Sequence, residues 1–164
     1  MEFTTKHLHI CPLSQLDATE AAVLLTDPIV GQTYMLPEFP NQESALPLFQ
    51  RLMELSQMPE RYVAGIYLDR KLIGLINEIE VEDTEIELGY AILPAYHNRG
   101  YATEALTGAI LWLKARGFSR IKAGAFEGNA ASIRVMVKSG MRPMECTDTV
   151  TYRGVDYRCI YFCI

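Results

Sequence analysis

The sequence predicts an α+β fold: one mixed, mostly antiparallel sheet of about seven strands with helices on both faces. Three features predict it. Apolar strand segments at Arg61–Leu68, Lys71–Glu80 and Thr84–Leu93 follow one another across very short turns, which forces an antiparallel meander. A helix-length segment then separates Thr84–Leu93 from the next strand, Arg120–Phe126, and a crossover of that length suits a parallel pair. Finally, Met144–Tyr152 and Val155–Cys163 flank Arg153-Gly154, a hairpin signal.

In chain order, Leu8–Leu13 reads as a strand with Leu8 and Ile10 on one face. His7 and His9 then fall on its solvent side. Leu16–Thr26 reads as a helix capped by Ser14 or Asp17. Pro28, Gly31, Pro37 and Pro40 break the chain after it. Tyr34, Met35, Leu36 and Phe39 in that stretch either line a pocket or cap the core. Ser44–Gln57 reads as a second helix that tolerates Pro47 in its first turn. Asp69-Arg70 and Val81-Glu82-Asp83 are the turns of the meander.

On its last strand Ile86, Leu88, Tyr90 and Ile92 share one face, with Glu85, Glu87, Gly89 and Ala91 on the other. Pro94 stops it. The turn His97-Asn98-Arg99-Gly100-Tyr101-Ala102 opens a long helix, whose Ala102, Ala105, Leu106, Ala109, Ile110 and Leu113 recur at helical spacing. Gly117 fits the position just past its end. Ala130–Ser139 reads as a last helix between the N-cap Asn129 and Gly140.

The chain has 164 residues, 49% of them hydrophobic and 21% charged, which suits one domain over 1–164 with a sizeable core. No apolar run approaches a membrane span, and Met1–Lys6 lacks a secretory apolar region, so a cytoplasmic protein without a membrane partner is expected. The net charge of −5 argues against direct nucleic-acid binding. It also means that an anion must be held by local positive features. Cys11, Cys146, Cys159 and Cys163 form no CxxC and no His-partnered spacing, so no metal site is expected. Cys159 and Cys163 alternate with Tyr161 and read as small core residues.

The turn before the long helix is the segment richest in chemistry. A helix start leaves its first N–H groups unpaired and carries partial positive charge. Gly100 and Ala102 are small enough to let an anion approach the backbone, and Arg99 adds full charge. Such a corner suits phosphate groups. An ordinary strand-to-helix turn would use the glycine only for its backbone angle. The segment lacks the Gly-Lys-Ser/Thr ending of a nucleotide P-loop and the GxGxxG of a dinucleotide fold.

HNRGYATEAL resembles the acyl-CoA pyrophosphate loop of the GNAT superfamily of N-acetyltransferases, Gln/Arg-x-x-Gly-x-Gly/Ala. Gly100 and Ala102 match, and His97 replaces the first position. NAASIRVMVKSGM is similar to the second signature of that family, Asn-x-x-Ser/Ala followed by an apolar helix and Lys-x-Gly-Phe. Asn129, Ser132, Lys138 and Gly140 match, and Met141 stands for phenylalanine. The opening KHLHICPLSQLD is similar to Rim-type ribosomal-protein N-acetyltransferases, with Lys6-His7 and Cys11 in place of arginines. The strand and helix order also matches the GNAT fold.

The resemblance implies acetyl-CoA as acyl donor and an amine acceptor, either a protein N-terminus such as that of a ribosomal protein or a small amine. It implies a pyrophosphate held by His97, Asn98, Arg99, Gly100, Tyr101, Ala102 and Thr103. It places the pantetheine arm between Tyr90–Leu93 and Ile121–Ala125, against backbone groups of Ile92 and Leu93 and the side chain of Asn129. Arg134 either approaches a terminal phosphate or is a solvated helix charge. Glu87 is implied as the base, with Glu85 and Glu78 as alternatives. Partial burial would supply the raised pKa that a base needs near neutral pH; the alternative is that these glutamates, with Glu80 and Glu82, form a solvated strand face. Met136 occupies the family's tyrosine position, so Ser132 is implied as the group that meets the leaving sulfur. A non-catalytic acyl-CoA-binding module is the alternative. The apolar end strand Arg158–Ile164 pairs either within the sheet or with a second copy in a homodimer.

Overall fold

The computed structural model describes residues 1–164. Its single sheet has eight strands: β1 (Phe3–Thr4), β2 (Leu8–Cys11), β3 (Ala64–Leu68), β4 (Lys71–Glu82), β5 (Glu85–Ile92), β6 (Arg120–Phe126), β7 (Arg142–Tyr152) and β8 (Val155–Cys163). They lie in the order β1-β2-β3-β4-β5-β6-β8-β7. All pairs are antiparallel except β5 with β6. Four helices join them: α1 (Ala18–Thr26), α2 (Leu46–Ser56), α3 (Tyr101–Lys114) and α4 (Ala130–Lys138). None is long and apolar enough to cross a membrane.

The eighth strand is β1. Its two residues carry too short an alternation to be read as a strand from sequence. Strand β3 starts at Ala64 instead of Arg61 because the preceding residues are held otherwise. Tyr62 donates its N–H to the Glu78 carboxylate at 2.7 Å, and Arg61 pairs with the same side chain. The end strand is not an edge. The hairpin folds so that β8 lies between β6 and β7, so both its edges are paired inside the chain, and β7 forms the rim.

Two cores flank the sheet. The even residues of β5 point into one, with Leu106, Ala109, Ile110 and Leu113 of α3 and Met136 of α4. Ala91 and Leu93 point into the other, against Leu24 and Leu25 of α1 and Phe49 of α2. The helix starts follow local chemistry. A short 3-10 turn at Gln15–Asp17 leads into α1. There the Asp17 carboxylate accepts from the Ser14 N–H at 2.7 Å, the Ser14 hydroxyl at 2.9 Å and the buried Tyr67 hydroxyl at 2.8 Å. Asn129 caps α4 by accepting the Ser132 N–H at 3.1 Å.

Helix α3 offers a direct test of the core assignment. Leu106 is 0% exposed, and Leu106→Ala is expected to cost about 2–5 kcal/mol through lost burial and the cavity left behind. Leu111 on the outer side is 66% exposed, and Leu111→Ala is expected to stay within about 0.5 kcal/mol. Urea unfolding of the two variants checks both.

Candidate active site

Strands β5 and β6 pair only over Glu85–Glu87 and Arg120–Lys122. Beyond Glu87 they part. β6 continues with β8, while β5 stays with β4 as far as Ile92. The Leu93 N–H bonds the Ile73 carbonyl at 2.8 Å. Because an antiparallel ladder alternates, the N–H and carbonyl of Ile92 point the other way, into the gap. His97 Nε2 meets that carbonyl at 2.7 Å. The Ile92 N–H faces the gap, where no strand pairs with it. Gly124 keeps the gap open: a Cβ there would stand 2.8 Å from the Tyr161 ring and 3.4 Å from Glu87 Oε1. A cavity of about 830 Å³ runs through it, from the α3–α4 end to the loop between α1 and α2.

At one end stands the turn before α3. Asn98 (φ 60°) and Gly100 (φ 85°) are both left-handed, which turns neighbouring amides toward one side. The Glu104 N–H reaches the Gly100 carbonyl at 2.9 Å, while the amides of Tyr101, Ala102 and Thr103 have no acceptor. A side chain at Gly100 would project into open space, so the corner is accessible. Asn98 and Arg99 are exposed beside it. His97, Arg134 and Lys138 line the cavity at this end. One carboxylate, Glu104, sits in the first turn of α3. It accepts from the Thr5 hydroxyl at 2.6 Å and the His7 N–H at 2.7 Å, and meets His7 Nδ1 at 2.9 Å. These bonds hold its carboxyl below its ordinary range against the opposing effect of burial.

In the middle lie Glu87, Tyr90, Ser132 and Asn129. Glu87 is half-buried, and burial pushes its carboxyl up. Lys122 opposes that shift, while Glu80 and Asp148 reinforce it. Of the three glutamates considered from sequence, only Glu87 lines the cavity. Glu78 is held by Arg61 and Tyr62, and Glu85 by Arg120 at 3.5 Å and Lys122 at 3.6 Å. Across the gap, Ser132 Oγ and the Tyr90 hydroxyl are 2.8 Å apart. Burial pushes the Tyr90 hydroxyl up to about 12, with Ser132 acting the other way. Sequence reading missed Tyr90 as a polar group because its alternation marks it as core. Met136 is fully buried away from the cavity. Leu93 lies apart from the set, its N–H taken by β4 and its side chain in the second core.

The far end is roofed by the α1–α2 loop. Leu36 is buried in the second core and also borders the cavity, with Tyr34 and Met35. Tyr34 donates to Asn77 Oδ1 on β4. From the hairpin tip, the Tyr152 hydroxyl reaches the Gly31 carbonyl at 2.6 Å and the Leu36 carbonyl at 3.0 Å. Arg153 adds an ion pair to Glu38 at 3.5 Å. These bonds join residues more than a hundred positions apart, and nothing local in the sequence signals them. No cluster of three or more His, Cys, Asp or Glu side chains stands close enough to hold a metal.

The family described as acetyltransferase (GNAT) domain matches residues 7–142. An uncharacterised N-acetyltransferase of Bacillus subtilis (strain 168), YoaA, is 27% identical over 143 residues, covering 84% of this chain and 81% of that protein. A GNAT-family acetyltransferase from Bacillus anthracis has the same fold, with a TM-score of 0.87 at 23% identity, covering 100% of this chain and 98% of that one. So does a RimL ribosomal L7/L12 α-N-protein acetyltransferase in complex with coenzyme A, with a TM-score of 0.83 at 15% identity, covering 98% and 94%. The chain therefore belongs to the GNAT acetyltransferases, enzymes that use acetyl-CoA.

Tyr152→Phe removes only the hydroxyl that joins hairpin and loop. It is expected to cost about 1 kcal/mol globally and to speed amide exchange selectively in residues 28–38. Hydrogen exchange read by mass spectrometry checks this, and unchanged exchange there would show that the loop is held by its own packing.

Proposed function

We propose that the protein transfers the acetyl group of acetyl-CoA to a primary amine by direct attack in a ternary complex. One observation carries the reading: the gap between β5 and β6 opens into a single cavity that joins the free amides of α3 to the half-buried Glu87. The residues present fit the donor. The open space at Gly100 accommodates a diphosphate against the amides of Tyr101, Ala102 and Thr103. His97, Asn98 and Arg99 flank it, and Arg134 and Lys138 add charge. The gap accommodates a narrow arm that pairs with the exposed edge of β5 at Ile92, beside Asn129.

Each step falls to a group of this chain. The Ile92 N–H donates to the thioester oxygen and stabilises the charge that develops there. Glu87 takes the proton of the acceptor ammonium, freeing the lone pair that attacks the carbonyl carbon. Its raised pKa brings it nearer to neutral pH, as a general base requires. As the carbon–sulfur bond breaks, the attacking nitrogen loses its second proton and the sulfur gains one through the Ser132–Tyr90 hydroxyl pair. One hydroxyl donates to the other and that one to the sulfur, so a neutral amide and the CoA thiol leave. With its pKa pushed up to about 12, Tyr90 stays protonated near neutrality. Cys159 lines the same cavity, but burial pushes its thiol up, so it stays protonated and is a poor nucleophile. That favours direct transfer over an acyl-enzyme. Protein N-termini are among the acceptors considered, in line with the Rim-type neighbour.

Gly100→Glu is expected to abolish CoA binding in calorimetry by placing negative charge in the cradle, and unchanged affinity would relocate the diphosphate. Glu87→Gln is expected to lower kcat by roughly 10²–10⁴-fold with CoA affinity nearly unchanged. It should also remove the acid limb of the rate profile, which in the parent protein lies above the ordinary glutamate range. Equal losses of binding and turnover would place the base elsewhere. The sign for stability is opposite. A carboxyl whose pKa is raised on folding binds more protons folded than unfolded, so its contribution falls as pH rises past the ordinary value. Glu87→Gln is therefore expected to melt higher than the parent at neutral pH.

A further inference from the structure

The two ends of the cavity differ in chemistry, and the difference bears on which amine is acetylated. The inference rests on the acetyltransferase reading above. The cationic side chains that line the cavity, Arg134 and Lys138, stand at the α3–α4 end, as does the imidazole of His97. The other end is walled mainly by Ile29, Met35, Leu36, Leu52, Ile79 and Val150, with the uncharged polar side chains of Gln32 and Thr33 among them. The Tyr34 hydroxyl there is already given to Asn77. Glu87 is the one carboxylate that lines the cavity. Glu80 and Asp148 stand near it without lining it. Arg153 is close to the loop, but it is paired with Glu38 and lies outside the lining.

We infer that the acceptor is a primary amine borne on an apolar, otherwise uncharged body. One ammonium finds one carboxylate, Glu87. A free amino acid would bring its own carboxylate to a wall that offers no cation, and an unpaired charge there is costly. A polyamine or aminoglycoside would bring a second ammonium against a largely aliphatic wall, with no second carboxylate in the lining to meet it. An apolar group beside the amine meets apolar surface instead. Met35 and Ile79, at 50% and 54% exposed, leave such surface open at the rim. An arylalkylamine and a polypeptide N-terminus with an apolar first side chain share this chemistry.

The test is a matched series with acetyl-CoA: phenethylamine, phenylalaninamide, phenylalanine and 1,4-diaminobutane, with thiol release and product mass as readouts. Two short neutral peptides, beginning with Phe and with Ser, distinguish a polypeptide source from a small amine. Calorimetry with CoA runs on the same samples. Expected is a kcat/KM at least tenfold higher for phenethylamine and phenylalaninamide than for phenylalanine and diaminobutane. Ile79→Asp, at an exposed wall position, is expected to lower phenethylamine turnover several-fold and to raise that of diaminobutane. Comparable turnover of the charged and uncharged amines overturns the inference and leaves the acetyltransferase reading standing. CoA binding with no amine consumed overturns both.

Discussion

The site depends on a parallel pairing that gives out early. After Lys122, β6 no longer bonds to β5, while on its other edge it stays paired with β8 as far as Phe126. A sheet that continued would satisfy every backbone group and leave no room for a ligand. Here β5 keeps an open edge in the middle of the sheet, where an edge is normally a liability. It is tolerable because helices α3 and α4 cover one face and α1 and α2 cover the other. The gap is therefore a slot within the sheet, open to the cavity and covered by helices on both faces.

Strand alternation then divides the labour on β5. Odd residues place Glu87 on the side of the α1–α2 loop, and even residues place Tyr90 on the side of α4. A half-buried carboxylate and a hydroxyl thus reach one cavity from opposite faces of one strand. The cost falls on stability, since a half-buried carboxylate with a raised pKa favours the unfolded chain at neutral pH. Strain of this kind is common where a group is held for chemistry rather than for folding.

The parts legible in sequence were the local ones. The α3 turn with Gly100, the Asn129 cap and the alternation of β5 are each written within a few residues, and the short turns implied the meander. What was not legible depends on residues far apart in the chain. The choice between Glu87, Glu85 and Glu78 turns on which of them Arg61, Arg120 and Lys122 occupy. The hydroxyl pair Tyr90–Ser132 and the bonds of Tyr152 to the loop join segments that only the completed fold brings together. Leu93 shows the same limit from the other side. Its neighbour Ile92 faces the gap, and a difference of one residue in ladder phase sends Leu93 into the core.

The carboxylate of Glu104 is at odds with its place. It lies one turn from amides that a diphosphate would occupy, where a free negative charge would repel the guest. Thr5 and His7 hold that charge down with three short contacts. The outermost strand β1 and its turn are thereby tied energetically to the donor corner. If the proposed diphosphate site is at this turn, peeling away that margin of the sheet would release an anion beside it, so fraying at the rim and loss of donor affinity should rise together.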